Sequence, residues 1–179
     1  MRILAIDPGN IESGYVFVVH GGQQGLVIAR DTDMFEPFAK VPNKQMLNII
    51  KECKWDIDCI VIEKIVSYGM SVGAEVFDTC TWIGRFLQAA FDTKIKCSYV
   101  TRLEEKNLIC HSPKANDATI KQALVDKYTW NVSNHGKGTK SNPGFFYGFK
   151  ADVWSAFAVA DAWSTKFSEG NYEWIKEDQ

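Results

Sequence analysis

Met1-Arg2-Ile3-Leu4-Ala5-Ile6-Asp7-Pro8-Gly9-Asn10-Ile11-Glu12-Ser13-Gly14-Tyr15-Val16-Phe17-Val18-Val19 is the stretch whose reading decides the fold. Ile3 to Ile6 is an apolar run of the length of a strand buried on both faces. It ends on Asp7, and Pro8-Gly9 breaks it at once. A carboxylate closing a central strand stands at the sheet's carboxyl edge, where open α/β sheets place their sites. Gly9 carries no side chain, so a phosphate backbone could approach the main chain there. Ser13-Gly14 restarts an apolar run, Tyr15 to Val19, as a second strand. Taken alone, the stretch reads equally well as a capped turn between two hairpin strands.

Further along, the same event recurs. Asp56 to Glu63 is a second apolar strand, through Ile57, Cys59, Ile60, Val61 and Ile62, and it too finishes in a carboxylate. If the two strands are parallel neighbours, Asp7 and Glu63 lie side by side. Carboxylates that close repel unless a cation sits between them or one is protonated, which is the logic of a magnesium site. Between these strands, Gly25 to Ala29 reads as a third strand, Asp31 to Val41 as a loop, and Asn43 to Cys53 as a helix. Beyond them, Ser67 to Gly73 is a loop carrying Tyr68 and Met70, and Ala74 to Phe91 is a long helix with Val76, Cys80, Ile83, Leu87 and Ala90 on one face. Lys94 to Val100 is a fifth strand, and Thr101 to Ile109 a short helix. Asn116 or Asp117 caps a helix reaching Tyr128. Trp130 to Phe149 is a long Gly-rich loop, and Lys150 to Phe167 the last helix. The succession is that of an α/β fold with a mixed sheet.

At 179 residues the chain is expected to be one domain, 1–179, with an acidic tail from about residue 168. No segment reads as a signal peptide or reaches transmembrane length, so a cytoplasmic protein with no membrane partner is expected. The five cysteines are scattered with no Cys-x-x-Cys spacing, as reduced core thiols would be. A net charge of −2 argues against nucleic acid on its face. From Lys94 to Lys150, however, ten Lys and Arg stand against four Asp and Glu, a local excess of six positive charges.

These residues carry a family resemblance. Asp7-Pro8-Gly9 with Ser13-Gly14-Tyr15, then Ile62-Glu63, then Lys150-Ala151-Asp152-Val153-Trp154-Ser155-Ala156 resembles the three acidic segments of RuvC-type Holliday-junction resolvases. The middle is closer to their phage-type branch, in Ser67 to Met70, Glu75-Val76-Phe77, Trp82 to Phe86, Lys114 to Ala123, and Asn142-Pro143-Gly144 with Tyr147-Gly148. The likeness spans Met1 to Trp163. It implies a ribonuclease-H-like fold with a five-stranded mixed sheet of order 3-2-1-4-5. It also implies a homodimer, in a phage or bacterial cytosol, that cuts four-way DNA junctions with Mg2+, for which Mn2+ substitutes. Asp7, Glu63 and Asp152 are then the catalytic, metal-holding carboxylates. The family often places two acids, or a His and an acid, three residues apart on the last helix. Here Phe149 and Ser155 flank Asp152 at that spacing, which leaves Ser155 or water as the fourth ligand.

Phosphodiester hydrolysis brings water to a shielded anionic phosphorus, and a metal held by carboxylates supplies the charge it needs. Lysines near the phosphate add to it: Lys106, Lys114 and Lys121 are candidates, each alone equally a solvated helix lysine. Lys137 and Lys140, with His135, are candidate phosphate contacts on the long loop. Tyr68 is placed to stack on an unpaired base or to pack against a partner. Three rival functions follow from the same residues. An actin-like phosphotransferase needs a second Gly-rich phosphate loop and a second domain, for which this chain has no room, so no nucleotide cofactor is expected. A non-catalytic junction-binding module would avoid acids beside phosphate. A nuclease for forks or flaps keeps the chemistry and changes only the branched DNA.

Overall fold

The two apolar runs form the centre of a mixed sheet flanked on both faces by helices. The computed structural model describes residues 1–22, 25–30, 35–53, 57–67, 69 and 71–177. In β1 (Arg2–Asp7), Ile3, Leu4, Ala5 and Ile6 are all fully buried, as a strand covered on both faces must be. β2 (Glu12–His20) pairs antiparallel with it, Asp7 opposite Gly14. β3 (Leu26–Ile28) pairs only with Val18 to His20 of β2. That leaves the backbone groups at the start of a nine-residue strand in need of a partner. β4 (Phe38–Pro42) provides it, antiparallel to Glu12–Val16. The expected loop from Asp31 to Val41 is therefore in part a sixth strand; Asp31 to Met34 lie outside the described residues.

α1 (Asn43–Glu52) follows directly, as the spacing of Met46, Ile49 and Ile50 predicts. β5 (Cys59–Lys64) lies parallel to β1, starting later than the expected Asp56, which is outside the described residues. α2 (Ala74–Asp92) leads to β6 (Lys96–Thr101), parallel to β5. The strand order is β3-β2-β1-β5-β6, with β4 added on β2. This is the expected order with one strand more. α3 (Arg102–Cys110), α4 (Asp117–Tyr128) and α5 (Ala151–Ser168) complete the described elements.

Alternation along β1 divides the core in two. Leu4 and Ile6 meet α1 and α2 through Met46, Ile50, Ile83 and Phe86. Ile3 and Ala5 meet α4 and α5 through Leu124, Phe157 and the run of small residues Ala156, Ala158 and Ala160.

Three expectations change. The buried face of α2 is Thr79, Ile83, Phe86, Ala89 and Ala90, with Cys80 exposed and Val76 and Leu87 only half-buried. The long loop is anchored on α5: Phe146 and Phe149 are buried, both edge-on to Phe157, with Phe149 edge-on and Phe146 tilted against Trp154. The segment after Ser168 is not only an acidic tail. Ile175 N–H donates to Cys97 O, Ser98 Oγ donates to Glu173 O, and Tyr172 and Trp174 pack near Trp163, so the segment covers the outer edge of β6. Among the described residues no helix is long and apolar enough to cross a membrane.

Candidate active site

β1 and β5 run parallel with Ile6 opposite Ile62, so the next residue of each, Asp7 and Glu63, comes off the same sheet edge side by side. Their carboxyls share a hydrogen bond. Burial, then the neighbouring Glu63, pushes Asp7 up to about 8. Burial also raises Glu63, while the Asp7 hydrogen bond and Arg102 act against the rise. Burial and the neighbouring carboxylate thus both favour the protonated form of Asp7.

The turn that follows Asp7 is clamped by two buried polar side chains. Gly9 N–H donates to Ser13 Oγ at 3.3 Å, Ser13 Oγ donates to Asn43 Oδ1 at 2.6 Å, and Asn43 Nδ2 donates to Gly9 O at 2.8 Å. The Ser of the opening motif is therefore a brace for the Asp7 turn. Gly9 itself is required by that turn, since a methyl there would meet Glu12 O at 2.3 Å. Asn43 closes the clamp, and nothing in its local sequence distinguishes it from an ordinary residue at a helix start.

Asp152 enters from the other side, in the first turn of α5, where an anion is favoured by the helix N-terminus. Gly14 brings it close: a methyl on Gly14 would lie 2.5 Å from Asp152 O and 2.9 Å from Asp152 Cβ. Its carboxylate pairs with Lys40 Nζ at 2.9 Å, and Lys40 also reaches Glu12 at 3.5 Å. The charge of Asp152 contributes to the rise of Asp7. Lys40 is a functional-site residue that sequence reasoning missed, because β4 was read as loop.

The third parallel strand adds more. β6 ends at Thr101, opposite Lys64, and α3 starts at once. Thr101 and Glu104 form a capping box, Thr101 N–H donating to Glu104 Oε2 at 2.7 Å, and Lys166 Nζ donates to Glu104 Oε1 at 2.6 Å. Glu104 is thus spent on structure. Its neighbour Glu105 is completely buried, paired through Oε2 with Arg102 Nη1 at 2.5 Å, and Arg102 pairs in turn with Asp117. Glu105 is pushed up to about 8 by burial and then by Glu63, and it contributes to the rise of Asp7. Arg102, Glu105 and Asp117 escaped the sequence reading because Arg-Leu-Glu-Glu after a Thr looks like an ordinary capped helix.

Beside Asp152 opens a cleft of about 470 Å³, lined by Arg102, Asp117, Lys121, Lys137, Lys150 and Trp154, with Ser155 also on its wall. Lys121 Nζ sits over the Trp154 ring at 5.1 Å. Of the candidate lysines, Lys121 and Lys137 line this cleft, whereas Lys106, Lys114 and Lys140 do not. Tyr68 lies outside the described residues. Asp161 faces away from the site, as its phase on the helix predicts, and pairs with Lys127 and Tyr128. Arg85 on α2 stacks over the Trp82 ring at 4.1 Å.

The donor set fits a divalent cation in its chemistry: Asp7, Glu63 and Asp152 are three half-buried carboxyl groups, with Lys40 paired to Asp152 and Arg102 acting on Glu63. Among the described residues, no three potential ligands are yet drawn close enough to hold an ion.

No protein-family model matches the sequence, and no curated protein matches it. Solved structures do. RuvC of Thermus thermophilus aligns with a TM-score of 0.69 at 14% identity, over 98% of this chain and 100% of that one. T. thermophilus RuvC in complex with a Holliday junction substrate gives 0.71 at 13%, over 98% and 99%. The yeast mitochondrial Holliday junction resolvase Ydc2 gives 0.53 at 11%, over 95% and 81%. At these identities the likeness is one of fold: the chain has the ribonuclease-H-like fold of the RuvC-type resolvases.

Proposed function

We propose that this chain is a divalent-metal-dependent endonuclease of the RuvC type that hydrolyses phosphodiesters in branched DNA, four-way junctions above all. The observation that carries the reading is the half-buried Asp7–Glu63 pair, set side by side by strand register and faced by Asp152. A pair of desolvated acids costs stability unless it is used. The likeness in fold to a RuvC solved on a Holliday junction supports the same reading.

Asp7, Glu63 and Asp152 would hold the metal, Mg2+ or Mn2+, which when bound supplies charge neutralisation at the phosphate and a more acidic water. The chain's own residues do the rest. Lys40 fixes the Asp152 carboxylate in place, and the Ser13–Asn43 clamp fixes Asp7. Lys121, Lys137 and Lys150, around the cleft, would take the phosphates on either side of the cut. Two opposed strands of a symmetric junction need two such sites, which a two-fold dimer provides. Its surface is assigned to the exposed side of α2, where Phe77 is 64% exposed. Phe86 of the same helix is fully buried in the core and takes no part.

Asp7→Asn tests the assignment. It removes charge from the metal site without touching the basic cleft. Magnesium-dependent cleavage of a synthetic four-way junction is expected to fall by at least about a thousand-fold, while junction affinity by gel shift stays within about two-fold. An Asn variant that cuts at the wild-type rate would refute the site.

A further inference from the structure

Asp7, Glu63 and Glu105 come from three neighbouring parallel strands at one sheet edge. β1 ends on Asp7, β5 carries Glu63 next to its end, and β6 passes at Thr101 into α3, whose fourth residue is Glu105. Glu105 is 0% exposed. One of its oxygens, Oε2, accepts from Arg102; the other, Oε1, is buried and has no hydrogen-bond partner among the described residues. A buried carboxylate oxygen left without a donor is costly, and natural folds keep such groups chiefly where something binds. Strand register sets the start of α3 beside Glu63, with Lys64 opposite Thr101, and Glu63, Arg102 and Asp117 all act on the Glu105 charge. On α5, meanwhile, Asp152 is the sole acid of the first turn, with Ser155 three residues on.

We propose that Glu105 is a further carboxylate of the metal site, delivered from α3, and that Arg102 is the built-in cation that holds it while no metal is bound. The proposal rests on the functional reading above and extends its ligand set. Arg102 spans Glu105 and Asp117, so it can leave the first and keep the second. A divalent cation would take over the negative charge that the guanidinium now neutralises, with hard oxygen donors from four elements: β1, β5, α3 and α5. A purely structural Arg102–Glu105 pair makes a different prediction, because breaking it would lower stability and leave metal affinity alone.

The test is calorimetric titration of the full chain with Mn2+, without DNA. Glu105→Gln is expected to weaken Mn2+ binding by at least about ten-fold, the scale on which even partners outside the ligand shell act. Arg102→Gln is expected to tighten it, because it removes the competing cation. Asp7→Asn is the control for the site as a whole. Wild-type affinity in a folded Glu105→Gln, or weakened affinity in Arg102→Gln, would overturn the proposal. If Asp7→Asn loses Mn2+ while Glu105→Gln keeps it, the nuclease reading stands and this extension falls. A wild-type chain that takes up no Mn2+ would overturn both. The opposite signs expected for Glu105→Gln and Arg102→Gln keep the test decisive even if one variant fails to fold.

Discussion

Asp7 is the residue on which the proposed chemistry depends most, and its ionisation leaves a mark on stability. Its carboxyl ordinarily ionises near 3.8 and is pushed to about 8 in the fold, by burial first and by Glu63 second. Between those values the native state holds a proton that the unfolded chain has released. The stability of the metal-free protein therefore falls as pH rises from 3.8 toward 8. Asp7→Asn removes the titrating group, so its Tm in EDTA should vary less between about pH 5 and about pH 8 than that of the wild type. Parallel pH profiles would contradict the paired, buried state of Asp7. Asp7, Glu63 and Asp152 were legible because each interrupts or opens an apolar element, a signal one sequence can carry. Glu105 was not, since its burial comes from the packing of α3 and α5 around it, and its neighbour Glu104 fully accounts for the local capping pattern. Lys40 was hidden for a similar reason, its strand being defined only by the unpaired length of β2.

At the scale of elements, β2 and α5 set the distance between Asp7 and Asp152, and Gly14 sets the distance between β2 and α5. A methyl at Gly14 cannot be accommodated against the main chain of Asp152 without moving the start of the helix. Gly14→Ala should cost about 1–3 kcal/mol by overpacking. It should also slow single-turnover cleavage by more than it weakens DNA binding, since it displaces a carboxylate and not the basic cleft. Unchanged Tm and unchanged cleavage would show that the close approach does not position Asp152. Central strands and the capped helices were readable from apolar runs and capping residues. The face of α2 was not: Val76, Phe77, Trp82 and Leu87 make the helix apolar on more than one side, so periodicity does not single out the stripe that meets the core. The loop from Trp130 to Phe149 misled through its glycines and lysines. Its Phe145-Phe146 and Phe149 are what tie it to α5, and they stand only at its end.

Over the whole molecule, a chain with net charge −2 sets Arg102, Lys121, Lys137 and Lys150 in one cleft beside Asp152. That arrangement suits a polyanion whose backbone must be held while one of its bonds is placed against acids. Lys121 and Lys137 line the cleft, so a Lys121→Ala, Lys137→Ala double variant should reduce the slope of log affinity against log salt by roughly two units for duplex arms. An unchanged slope would move the DNA path to Lys106, Lys114 and Lys140. A mixed α/β sheet was legible from the order of strands and helices, while its ribonuclease-H-like order came with the family resemblance that the acidic motifs carry. The covering of the β6 edge by Tyr172 to Ile175 was not, because a short acidic tail gives no sign of the strand it lies against. The central claim, that this edge and cleft form a structure-selective nuclease, is tested most directly by one measurement. Wild-type protein is incubated with Mg2+ and, side by side, a four-way junction, a fork, a flap and a linear duplex of the same sequence. The account predicts paired cuts in the four-way junction, far slower cutting of duplex, and none of either in EDTA. Equal cutting of all four substrates, or no cutting of any by a protein that binds the junction, would contradict it.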